Sequence, residues 1–233
     1  MIPWRRLLSV DRALLLALVL IAAALFTFFK LASEVGEGET MALDGAILLW
    51  LRTSANPAIP AGPHWLTEAM TETTAFGSVT GLLLVMSAVI GFLLISRRHR
   101  TALFVLLATG GGTTAAKLLK LLYDRPRPGL VPHLVDVSTA SFPSGHSADS
   151  AIVYLTIAAL LARTVPQRAL RLYILGAAGL LVLLIGVSRV YLGVHWPSDV
   201  VAGWAFGAAW ALGCSLAYSR LWARQGLAEV EKR

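Results

Sequence analysis

The run Ser188-Arg189-Val-Tyr-Leu-Gly-Val-His195-Trp-Pro-Ser-Asp199 places a guanidinium, an imidazole and a carboxylate within twelve residues, between two long apolar stretches. Charged groups at a membrane edge are costly to place there, so a functional site is their default reading. Arginines beside spans also snorkel to headgroups, and a lone histidine is often a satisfied structural residue. Taken alone, the run leaves both readings open. Two other segments tilt the balance toward chemistry. Lys120 and Arg127 bracket the start of a proline-rich loop, and Pro143-Ser144-Gly145-His146 opens the next apolar stretch.

Three cations, Lys120, Arg127 and Arg189, brought to one point repel one another unless an anion sits between them. A phosphoryl group fits, because arginine forks match its oxygens and lysine adds a point charge. If Ser144, Gly145 and His146 begin a helix, its unpaired N–H groups form an anion site, with Gly145 allowing close backbone approach and Ser144 adding a hydroxyl. Pro197 suits the first turn of a helix, and Asp199 then falls in that turn, where a carboxylate is favoured. There it can accept the ring N–H of His195, leaving the other ring nitrogen free to attack phosphorus. His146, from another helix, can give a proton to the leaving oxygen. A neutral His195 and a protonated His146 would straddle the ordinary value of about 6.5 and give a bell-shaped pH profile.

The elements that must position these groups are membrane spans. The 233 residues are 57% hydrophobic and only 14% charged, against about 25% charged in a typical soluble domain. Too few charges are present to cover a soluble surface, so the chain reads as an all-α, polytopic membrane bundle with no separate soluble domain. The net charge of +7 speaks for topology and lipid contact rather than nucleic acid. Cys214 stands alone, so no intrachain disulfide and no cysteine metal site can form. Apolar runs predict six spans, at about 13–31, 76–96, 101–122, 144–163, 170–187 and 197–218. The first is read as a retained helix rather than a signal peptide, being longer than a usual signal core.

Between the first two spans, Leu43, Ile47, Leu48 and Leu51 share a helical face. They predict a short extracytoplasmic amphipathic helix, lying in the interface or packed on the bundle. His64, Glu68 and Glu72 follow at i, i+4 and i+8, a pattern that favours a solvated helix face over a metal site. Gly110-Gly111-Gly112 allows close helix approach or a kink, and Gly203 with Gly207 forms a small-xxx-small pair, within or between chains. Trp196, Trp204, Trp210 and Trp222 are expected in interfacial belts. Arginines cluster at Arg5, Arg6 and Arg12, at Arg97, Arg98 and Arg100, at Arg163, Arg168 and Arg171, and in the tail with Arg220, Arg224, Lys232 and Arg233. The positive-inside rule makes that side, with both termini, cytoplasmic. Parity then puts Lys120, Arg127, Ser144, His146, Arg189, His195 and Asp199 together on the outer face, where basic residues defy the charge bias and an outer-leaflet anion explains them.

In order and internal spacing these residues resemble the three motifs of the type 2 phosphatidic acid phosphatase superfamily. They are Lys120, six residues, Arg127-Pro128; Pro143-Ser144-Gly145-His146; and Ser188-Arg189, five residues, His195, three residues, Asp199. The resemblance implies a phosphatase that works through a phosphohistidine intermediate without metal or other cofactor. By it, His195 is the nucleophile, Asp199 its partner and His146 the general acid, while Lys120, Arg127, Ser144, Gly145 and Arg189 hold the phosphate. Arg125 stands outside that set and is read as a headgroup contact. The resemblance also implies a bacterial inner-membrane enzyme whose partners are the bilayer and a lipid phosphate. Undecaprenyl pyrophosphate leads, beside phosphatidylglycerol phosphate and phosphatidate. A phosphotransferase of the same fold, and a phosphate-ester transporter or flippase, are the alternatives; transport needs the cations but no nucleophile.

Overall fold

The computed structural model describes residues 12–230. In chain order it contains α1 (Arg12–Glu37), α2 (Met41–Trp50), β1 (Arg52–Thr53), β2 (Asn56–Pro60), α3 (His64–Ala75), α4 (Val79–Ile95), α5 (His99–Leu122), α6 (Gly145–Ala162), α7 (Arg168–Tyr191) and α8 (Pro197–Val230). Helices α1, α5, α6, α7 and α8 are each long and apolar enough to cross a membrane, and α3 with α4 form an apolar pair bent by 52°, a sixth crossing if the pair is counted as one span. The all-helical membrane bundle read from the sequence is therefore the architecture of the chain. Arg5, Arg6, Lys232 and Arg233 lie outside the described residues.

Helix α4 falls inside the second predicted span, 76–96, and the chain breaks just before it, between Ala75 and Val79. Ser78 is extended there and its hydroxyl accepts the Gly81 amide at 3.1 Å, starting α4 afresh. Gly77 sits where any Cβ would lie 2.5 Å from Ile185 Cγ2 and 3.2 Å from His146 Cδ2. The break thus lets the chain turn tightly against α7 and the start of α6.

Helices α6 and α8 meet along backbone. A Cβ on Gly203 would stand 2.8 Å from the Ser144 carbonyl oxygen, and one on Gly207 2.5 Å from Ala151 Cβ and 2.7 Å from the Ala148 carbonyl oxygen. The small-xxx-small pair therefore works within the chain. Two tryptophans fill slots opened by glycines on facing helices. Trp210 lies on Gly112 and donates its indole N–H to the Ala108 carbonyl at 2.7 Å. Trp204 lies on Gly186 and donates to Val182 at 3.1 Å. Trp196, also buried, donates to Pro126 at 3.0 Å. Each buried indole N–H needs an acceptor, and helix or loop carbonyls supply one. The side chain of Trp222 lies outside the described residues. Gly110-Gly111-Gly112 does not interrupt α5.

Helix α2 forms where expected and turns most of its expected face inward, Leu48 being buried and Ile47 and Leu51 packed beside it against Val131 and Val190. Asp44, Gly45 and Leu48 are buried, while Leu43 is 69% exposed. A carboxylate enters the bundle because partners for it wait there, described below. The β1–β2 hairpin, antiparallel with Arg52 opposite Pro60, closes over the end of α7. Arg52 donates to the Tyr191 carbonyl at 3.0 Å, and burial lowers its pKa. The Tyr191 hydroxyl in turn donates to the Ala61 carbonyl at 3.0 Å. On α3, His64 and Glu68 pair at 3.4 Å on the solvated face expected for them, with side chains 89% and 63% exposed.

Candidate active site

One end of the bundle collects the C-termini of α5 and α7 and the N-termini of α6 and α8, and all eight residues singled out from the sequence lie there. Lys120 is in the last turn of α5, Arg189 in the last turn of α7, and Asp199 in the first turn of α8. Lys120, Arg127, Arg189 and His195 are all within electrostatic reach of His146. The Lys120 ammonium comes within 3.8 Å of where a Cβ on Gly145 would be. A Cβ there would meet the ammonium at ordinary contact distance, which puts lysine and helix start side by side.

The His195 ring is 1% exposed and gripped at both nitrogens. Nδ1 lies 3.4 Å from Asp199 Oδ2 and 3.3 Å from Ser141 Oγ. Nε2 lies 3.2 Å from Arg127 Nη1. A guanidinium only donates, so Nε2 must be the accepting, unprotonated nitrogen and Nδ1 must carry the hydrogen toward Asp199 and Ser141. Burial pushes the imidazole pKa down to about 3, with Asp199 opposing and Arg127 adding to the shift. The result is a neutral ring whose lone pair faces the cations.

Asp199 does two jobs with one carboxylate. As the third residue of α8 it accepts the backbone N–H of Trp196 at 3.0 Å, closing the helix start as a capping box does. The same Oδ2 accepts from Ser141 Oγ and faces His195. Its other oxygen, Oδ1, receives Arg125 Nη1 at 2.6 Å.

Arg127 is fixed from three sides. Its Nε donates to the Thr139 carbonyl at 2.7 Å, Nη2 to Thr139 Oγ1 at 3.2 Å, and Nη1 to the Val194 carbonyl at 2.6 Å. Burial lowers the pKa of its guanidinium, with Asp199 opposing. Arg189, 4% exposed, donates one terminal nitrogen to Thr74 Oγ1 at 2.8 Å, and its buried Nε has no hydrogen-bond partner among the described residues. Ser144, fully buried, begins α6 without a side-chain cap, and its hydroxyl accepts from Ser147 Oγ at 3.0 Å. The Ser144 amide donates to the Asp199 carbonyl at 3.0 Å, tying the two helix starts together. The uncapped first turn of α6 leaves amide hydrogens free for an anion. Such a pocket can hold a tetrahedral anion in front of an oriented nucleophilic nitrogen.

Arg125 corrects the sequence reading. It is buried, not a headgroup contact. Besides Asp199 it bonds Asp44 Oδ2 at 2.8 Å and Thr40 Oγ1 at 3.0 Å, and its guanidinium carbon lies 5.3 Å from the Trp196 ring centroid. Asp44 also accepts the Ser198 amide at 2.9 Å and the Ser198 hydroxyl. Asp44, Ser141 and Thr74 went unnoticed in the sequence. One signal was available for Arg125: like Arg127, it is a cation on the side of the bundle that the charge bias disfavours.

The PAP2 superfamily model matches residues 98–223. The chain is 35% identical over 188 residues to phosphatidylglycerophosphatase B of Bacillus subtilis, covering 79% of this chain and 88% of that protein. It is 45% identical over 67 residues to an undecaprenyl-diphosphatase of Sulfolobus acidocaldarius, covering 29% of this chain and 28% of that protein. A crystal structure described as the first transmembrane PAP2 type phosphatidylglycerolphosphate phosphatase, from Bacillus subtilis, superposes with a TM-score of 0.74 at 30% identity, covering 86% of this chain and 96% of that one. The chain belongs to the PAP2 superfamily. It is a membrane phosphatase of that superfamily.

Proposed function

We propose that the protein dephosphorylates a lipid phosphate or lipid pyrophosphate through a phosphohistidine formed on His195. The observation that carries this reading is the His195 ring: neutral, held at Nδ1 by Asp199, with its Nε2 lone pair facing Arg127. Nε2 attacks phosphorus, the bond from phosphorus to the lipid oxygen breaks, and that oxygen takes a proton from His146. Asp199 balances the positive charge that develops on the His195 ring. Water then attacks the phosphoryl group, giving its proton to the now neutral His146. The phosphorus–nitrogen bond breaks and phosphate leaves. Lys120, Arg127, Arg189, Ser144 and the Gly145 backbone neutralise the phosphoryl oxygens in both steps.

A substrate anchored in the bilayer follows from a site at the ends of spanning helices. The relatives named above act on phosphatidylglycerol phosphate and undecaprenyl diphosphate, two lipids of that kind. We place the site on the extracytoplasmic face of a bacterial inner membrane and the termini in the cytoplasm. The support is charge: Arg97, Arg98, Arg100, Arg163, Arg168 and Arg171 all lie at the end of the bundle opposite the site.

Phosphate release by the purified protein in detergent tests the proposal, with undecaprenyl pyrophosphate, phosphatidylglycerol phosphate and phosphatidate as substrates and EDTA present. Release should persist in EDTA and vanish in His195→Ala. A requirement for added divalent metal would overturn the mechanism. Binding without release from any lipid would point to transport.

A further inference from the structure

One turn deeper into the bundle than the phosphate pocket, the same two helices carry a second pair of charged groups. Asp149 follows His146 by three residues on α6, and Lys117 precedes Lys120 by three on α5. Residues three apart lie on one helix face, about 4.5 Å along the axis. Because α5 ends at the site and α6 begins there, Asp149 and Lys117 are displaced from it in the same direction, toward the middle of the membrane. Both line a cavity of about 320 Å³ between α4, α5 and α6, whose walls include Leu82, Met86, Leu106 and Val153. Asp149 Oδ1 is buried there and accepts no hydrogen bond from any described residue. Among the described residues, no ion pair within 4 Å joins it to Lys117. A buried carboxylate oxygen without a donor is costly, and Lys117, exposed on α5 and within electrostatic reach of Asp149, puts a cation on a spanning segment, where ionisable groups mark substrate paths.

We propose that Asp149 and Lys117 form a headgroup-reading site for the substrate. In it, Asp149 accepts a hydrogen bond from a hydroxyl on the group esterified to the departing phosphate, and Lys117 meets a second anionic phosphate farther along the same lipid. This rests on the reading of the end pocket as a lipid-phosphate site and extends it to the substrate's chemistry. The spacing supports it. With the scissile phosphate held by Lys120 and Arg127, the next few atoms of a membrane-anchored lipid must descend by about one helical turn to reach the apolar cavity. A lipid of the matching class carries a short polyol between two phosphates, with its hydrocarbon chain in the cavity. A lipid monophosphate with acyl chains directly behind the phosphate offers Asp149 no donor and Lys117 no second anion. A prenyl pyrophosphate offers the second anion only.

The test compares phosphatidylglycerol phosphate with its synthetic analogue lacking the headgroup hydroxyl, in one enzyme preparation. The ratio of their kcat/KM values does not depend on how much of a variant is folded. The wild type should prefer the hydroxyl-bearing lipid by about tenfold or more, the loss expected when a hydrogen bond to a charged group is removed. Asp149→Ala should bring the ratio to about one, and Asp149→Asn, which keeps an acceptor, should restore part of it. Lys117→Met should raise KM for phosphatidylglycerol phosphate relative to phosphatidate with little change in kcat. Equal kcat/KM for the two lipids in the wild type, or an unchanged ratio in Asp149→Ala, would overturn the inference while leaving the phosphatase intact. No release from any lipid by the wild type would overturn the phosphatase reading and this inference with it.

Discussion

Replacing Arg125 by methionine should be among the most damaging single changes in the chain, and replacing Asp44 as well should repair part of the harm. Arg125 is one positive charge between two carboxylates, 2.6 Å from Asp199 Oδ1 and 2.8 Å from Asp44 Oδ2. The three side chains are 7%, 0% and 3% exposed. Removing one member of a buried pair costs about 3–5 kcal/mol, because the other charge stays buried and uncompensated. Here two carboxylates are stranded together. At about 2–4 °C per kcal/mol for a chain of this size, the melting temperature in detergent should fall by about 10 °C. Asp44→Asn alone keeps the pair between Arg125 and Asp199 and an acceptor for the Ser198 amide, so its cost should be smaller, about 1–3 kcal/mol. In the double variant only Asp199 lacks its cation, and Ser141 with the Trp196 amide still donates to it. The two losses should therefore fall short of additivity by about 1–3 kcal/mol. Phosphate release should rank the variants in the same order, since a displaced Asp199 no longer fixes the His195 tautomer. Additive losses within about 0.5 kcal/mol, or an Arg125→Met protein that melts with the wild type, would refute the network reading.

The bell centred at about 6.5 that the sequence suggested should lose its acid side: phosphate release should show no acid limb between pH 7 and pH 5, because burial pushes His195 down to about 3 and keeps the nucleophile neutral there; a half-loss centred near the ordinary imidazole value of about 6.5 would contradict the assignment. The same shift bears on stability. The unfolded chain binds a proton below about 6.5 that the folded ring refuses, so this contribution is complete above that value and is lost as pH falls toward 3. Melting temperature should decline in that window, and less steeply in His195→Gln. Gly207→Val should destabilise by about 1–3 kcal/mol, since its Cβ would stand 2.7 Å from the Ala148 carbonyl oxygen. Gly179→Ala, which meets nothing within 4 Å, should melt within a degree or two of the wild type.

Much of the phosphate pocket was legible because its residues fall at fixed spacings around helix ends. Lys120, Ser144-Gly145-His146, Arg189 and Asp199 each sit within one turn of a terminus, where sequence spacing becomes spatial direction. Span positions were legible for the same reason that membranes demand long apolar runs. What escaped was tertiary closure. Asp44 is one of several acids in a polar interval, and nothing local marks it as the one that reaches Arg125 and Ser198. The helical face chosen for α2 holds for Ile47, Leu48 and Leu51, but Leu43 is exposed and Asp44, which no apolar pattern marks, is buried in an ion pair. Arg125 differed from Arg127 only in which way the extended loop pointed each side chain. Trp204 and Trp210 were assigned by residue type alone, whereas the glycines facing them decided their place.

The contact between α6 and α8 has a consequence for how such an enzyme can change. Gly203 and Gly207 bring the two backbones together with no side chain between them, so the separation between the helix that bears His146 and the helix whose Asp199 holds His195 is nearly independent of rotamers. Helix α4, which walls the cavity with Leu82 and Met86, takes no part in that seam. Substitutions there can reshape the space for a lipid without moving the two histidines. Substrate range can drift along one wall of the bundle while the reacting geometry is inherited intact.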